Sequence, residues 1–91
     1  MEYDRLIQRI LPIPDAAVRV AWTQEEVTDE AERRCKPFCC VVQGCLEPKI
    51  RNEAQKARCA QAPMNLSRCI AEVSAHMQEI QERKRTALGK R

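Results

Sequence analysis

The chain has 91 residues, a formal charge of +3, and only Tyr3, Trp22 and Phe38 as aromatic residues. That leaves little material for a self-sufficient core, and six cysteines in so short a chain point to covalent stapling or to metal. The charge is uneven: Arg83, Lys84, Arg85, Lys90 and Arg91 are unopposed by acids, and the preceding residues carry 11 basic against 13 acidic side chains. Two glycines and many Ala, Gln, Glu, Arg and Lys residues argue against sheets, so the expected fold class is all-α. No apolar stretch approaches the roughly 18 to 20 residues needed to span a bilayer.

Met1 to Leu6 resembles neither a secretory leader nor, with Glu2 and Asp4, an acidic-poor mitochondrial presequence. Leu6, Ile7, Ile10 and Leu11 follow at helical spacing until Pro12 and Pro14 stop the turn. Residues 15–22 are ambiguous between helix and extended chain. Thr23-Gln24-Glu25-Glu26 has the form of a capping box, so a helix is expected from Gln24, with the acids to Glu32 on a solvated face. Pro37 either kinks this helix or restarts it as a first-turn residue. Residues 1–34 thus read as an N-terminal arm. With so small a core, Leu6, Ile7, Ile10, Leu11 and Trp22 are expected to pack on a partner.

Glu47-Pro48 marks a break. Residues 49–60 return to helix formers, and Pro63 is expected to interrupt them. Leu66, Ile70, Val73, Met77 and Ile80 then step along one helical face to about Arg83. Residues 35–83 form the expected helical unit and 84–91 a basic tail. A tail of this kind complements a helix dipole, with contact to RNA phosphate or acidic lipid as the less common use.

The cysteine spacing carries most of the information. Nine residues separate Cys35 from Cys45, and nine separate Cys59 from Cys69. Ten positions along a helix leave two cysteines about 80° apart around the axis and about 15 Å apart along it. That is too far for a bridge within one segment, so nested and crossed pairings between segments remain. A 13-residue connection, 46–58, favours an antiparallel return and therefore the nested set, Cys35 with Cys69 and Cys45 with Cys59. Each bridge is expected to contribute roughly 3 to 4 kcal/mol. Phe38, Val42 and Leu46 would face Ala62, Leu66, Ile70 and Val73 across the seam.

The paired segments Cys35-Lys-Pro-Phe-Cys-Cys-Val-Val-Gln-Gly-Cys45 and Cys59-Ala-Gln-Ala-Pro-Met-Asn-Leu-Ser-Arg-Cys69 resemble the twin C-x9-C coiled-coil-helix-coiled-coil-helix (CHCH) family of mitochondrial proteins. The resemblance implies an antiparallel hairpin with the nested pairing and oxidative trapping in the mitochondrial intermembrane space. It also implies docking of the disulfide-relay import oxidase, guided by Phe38 and Val42 near Cys35 or Leu66 and Val73 near Cys69. The implied role is a non-catalytic structural accessory subunit of a respiratory-chain complex, with complex I the first choice, then IV or III. Such a subunit has other subunits as partners and lies peripheral to the membrane, with no DNA and no cofactor.

Two alternatives attach to particular residues. Cys39 and Cys40 invite a copper-handling or assembly role, because a Cys-Cys pair suits Cu(I). The pair lies inside the first spaced segment, however, and about 40° and 140° around the helix from Cys35. Cys39 is therefore expected at the seam as a small hydrophobe and Cys40 toward solvent or a partner. The basic tail suggests instead a mitochondrial ribosomal protein of the same family. His76, the one histidine, is expected to be a packing or surface residue, and nothing in the spacing orients a base for catalysis.

Overall fold

The computed structural model describes residues 2–89. Among the described residues four α-helices form in chain order, α1 Glu2–Ile7, α2 Gln24–Arg34, α3 Lys36–Cys45 and α4 Glu53–Gly89, with a short 3-10 turn at Asp15–Ala17. There is no strand among the described residues.

Local chemistry sets the helix boundaries. The Thr23 hydroxyl accepts from the Glu26 amide while the Glu26 carboxylate accepts from the Thr23 amide, so the capping box starts α2 where expected. Cys35 closes α2 and opens α3, and Pro37 falls in the first turn of α3, where its missing N–H costs no helical hydrogen bond. A second capping box starts α4. The Gln55 amide donates to Asn52 Oδ1 at 2.8 Å, and the Asn52 amide donates to Gln55 Oε1 at 2.9 Å. The helix therefore begins at Glu53, not at Lys49.

Two sequence expectations about α4 are corrected. Pro63 lies inside the helix and does not interrupt it. A proline there deprives the Cys59 carbonyl of its donor, but bridges at Cys59 and Cys69 pin the helix on either side, and Ala62 is buried against its neighbours. The helix also runs past Arg83 to Gly89. Residues 84–89 are thus a continuation of α4, while Lys90 and Arg91 lie outside the described residues.

With 37 residues, α4 is about 55 Å long at 1.5 Å per residue, which accounts for the 60 Å long axis of the molecule. The rest of the chain wraps this spine. α1 begins beside Arg58, and the extended segment after it passes His76 at Ile13 and reaches Lys84 at Val18. There the chain reverses, meets Gln78 at Gln24, and α2 and α3 run back along α4 to the Cys45–Cys59 bridge. Val27, Ala31, Cys35 and Phe38 form one buried stripe across the α2–α3 junction. It packs against Cys69, Val73, Met77 and Ile80, and burial of each large apolar side chain contributes about 1.5 to 3 kcal/mol. Tyr3, Ile13 and Val18 complete this core from the N-terminal segment.

Candidate functional site

Two disulfides clasp α3 to α4. Cys35 bridges Cys69 with Cα atoms 6.1 Å apart, and Cys45 bridges Cys59 at 5.5 Å, which is the nested pairing. The first bridge lies in the core, both cysteines fully buried; the second, near the hairpin tip, is half-buried. Of the seam residues, Phe38 and Val73 are buried and Val42, Leu66 and Ile70 half-buried. Leu46 departs from expectation. It lies one residue beyond α3 and is 79% exposed.

Cys39 and Cys40 are free thiols, the first half-buried and the second exposed, as their angular positions require. No group of three or more His, Cys, Asp or Glu side chains converges in a way that could hold a metal ion among the described residues. His76 has a structural contact, with its Nε2 accepting from the Ile13 amide at 3.2 Å. No described helix is long and apolar enough to cross a membrane.

Leu6, Ile7, Ile10, Leu11 and Trp22 pack, half-buried, on the chain's own core. The N-terminal segment therefore folds back on α4, and the surface these residues offer a partner is what remains of their outer sides. Polar side chains of α4 hold the segment by its backbone. Gln81, only 5% exposed, donates to the carbonyls of Arg19 and Trp22, both at 3.1 Å, and Lys84 donates to that of Val18 at 2.6 Å. Arg83 pairs with Asp15 at 3.3 Å. The described part of the basic segment thus contributes to this clamp.

The start of α1 is fixed by a second cluster. Arg58 makes a forked pair with Glu2. The Tyr3 ring lies 5.3 Å from that of Phe38 and carries the Arg68 guanidinium above it. Arg68 in turn contacts Glu72 at 3.0 Å. The Tyr3 hydroxyl is buried and faces the Glu72 carboxylate without meeting strict hydrogen-bond geometry. Burial, followed by that carboxylate, pushes the phenol well above its ordinary range. The Tyr3 hydroxyl and then Arg68 hold Glu72 below its own.

Sequence reasoning missed one surface, an open groove of about 410 Å³ at the tip beside the Cys45–Cys59 bridge. Ile50 and Arg51, which line it, fall in a loop without periodicity, so no pattern marked them.

No family model, curated protein or solved structure matches the chain. Among the described residues the chain is all-helical, and its Cys35–Cys69 and Cys45–Cys59 bridges fit a twin C-x9-C pattern.

Proposed function

We propose that the protein belongs to the CHCH family and serves as a non-catalytic structural accessory subunit of a mitochondrial respiratory-chain complex. Complex I is the first choice, then IV or III, with the subunit on the intermembrane-space side. The observation that carries this reading is the nested pairing of two cysteine segments of equal spacing across antiparallel helices. Bridges of this kind form and persist in an oxidising compartment, and the intermembrane space is the one that the family resemblance implies. A structural role is supported by what the polar side chains do. His76, Gln81 and Lys84 hold backbone groups, and Arg58 and Arg68 anchor α1.

The test is to express the tagged full chain in cells, fractionate mitochondria, and separate solubilised complexes on a native gel. Comigration with a respiratory complex, together with protease sensitivity only after the outer membrane is ruptured, is the expected result. Migration as a free monomer, or with ribosomal particles in a manner lost on RNase treatment, would overturn the assignment.

A further inference from the structure

The hairpin tip combines uncovered apolar surface with positive charge. Ile50 is fully exposed and Leu46 nearly so, and the groove beside them is lined by Cys40, Val41 and Ile50 on the apolar side. Its charged lining is Lys49, Arg51 and Arg58, and among the described residues that line it there is no carboxylate. Arg51 donates to the carbonyls of Gly44 at 2.9 Å and Glu47 at 2.8 Å. Those contacts fix the side chain without neutralising it. Lys49 pairs with Glu47 in a solvent-exposed contact, and Arg58 is held in its forked pair with Glu2. An exposed pair such as that of Lys49 with Glu47 is weak and exchanges readily for another carboxylate, which leaves Lys49 and Arg51 to meet an anionic partner.

We propose that this groove is a docking site for an acidic segment of another protein, one that places a bulky apolar side chain in the groove with carboxylates flanking it. The charge of the lining selects an anionic partner, and complementarity of this sort sets specificity and association rate. The concave form selects a side chain over a bilayer surface, because an inserted anchor removes apolar groove atoms from water on several sides at once. The tip's chemistry is independent of the compartment and complex proposed above, and binding by purified protein is read separately from comigration in mitochondria.

The probe is a synthetic peptide with a central phenylalanine flanked by glutamates, titrated into isotope-labelled, disulfide-intact full chain. Saturable amide shifts confined to residues 40–59 are expected, with slower iodoacetamide modification of Cys40 at saturation. Ile50→Asp should weaken binding by at least about tenfold, the loss that follows removal of one buried aliphatic contact, and Lys49→Glu should weaken it as well. Ile50 supports no packing, so the variant keeps its fold, which unreduced peptide mapping verifies. Absence of saturable shifts overturns the proposal, as does binding indifferent to Ile50→Asp or equal binding of a peptide with lysines in place of the glutamates. Shifts produced only by phosphatidylserine vesicles would assign the tip to an anionic membrane instead.

Discussion

The Arg68 guanidinium lies 4.0 Å from the centroid of the Tyr3 ring, so the third residue of the chain is clamped between α4 and Phe38 of α3. This aromatic anchor, more than the six-residue length of α1, keeps the N-terminal segment on the spine, since so short a helix is not stable alone. Tyr3→Ala should therefore lower unfolding free energy by about 3 kcal/mol, as for other buried aromatic truncations. Tyr3→Phe, which keeps the ring and removes the hydroxyl that faces Glu72, should cost less, about 1 kcal/mol. Urea denaturation of the oxidised protein measures both, and an unchanged Tyr3→Ala midpoint would show that the segment is not anchored there.

Glu72 gives the same cluster a pH dependence. Its carboxyl is held below the ordinary carboxylate range by the Tyr3 hydroxyl and Arg68. A lowered folded-state value stabilises above the unfolded value, near 4.3, and the contribution disappears as pH falls through the folded one. Wild type should thus melt above Glu72→Gln at neutral pH, and the gap should close as pH falls below about 4. Thermal melts across that range read the gap directly, and a constant gap would rule out the linkage.

The two bridges should differ in accessibility. Cys35–Cys69 is fully buried and closes a separation of 34 residues, whereas Cys45–Cys59 is half-buried and closes 14. Graded reduction followed by alkylation and mass mapping should label Cys45 and Cys59 before Cys35 and Cys69. Replacing Cys35 and Cys69 by alanine should cost roughly 4 kcal/mol, and replacing Cys45 and Cys59 roughly 3.

Periodic and paired features of the sequence were legible. The Thr23 capping box, the Val73, Met77 and Ile80 face and the nested bridges all follow from short-range rules applied to named residues. What was not legible depends on distant contacts. Ile13 and Val18, in a proline-interrupted stretch of no clear period, are buried because His76 and Lys84 fasten the backbone beside them. Pro63 is a helix breaker by its own chemistry, yet bridges six residues downstream and four upstream hold its helix. The inward packing of Leu6 to Leu11 was hidden for a related reason. An amphipathic arm looks the same in sequence whether its apolar side meets a partner or its own chain.

Gln81 offers the sharpest test of that self-packing. It is the buried side chain whose amide serves both the Arg19 and Trp22 carbonyls, at the point where the chain turns back from the end of α4. Gln81→Ala removes the donor and leaves those carbonyls to find water in a half-buried turn, at a cost of about 2 kcal/mol. Because the damage is local, hydrogen exchange should accelerate at amides from Ile13 to Gln24, while protection at Val73 and in the disulfide-bounded part of α4 changes little. Uniform acceleration across α4 would mean that the segment and the hairpin unfold as one unit. No acceleration at all would mean that the segment is held by its apolar contacts, with Ile13 and Val18 as the residues to truncate next.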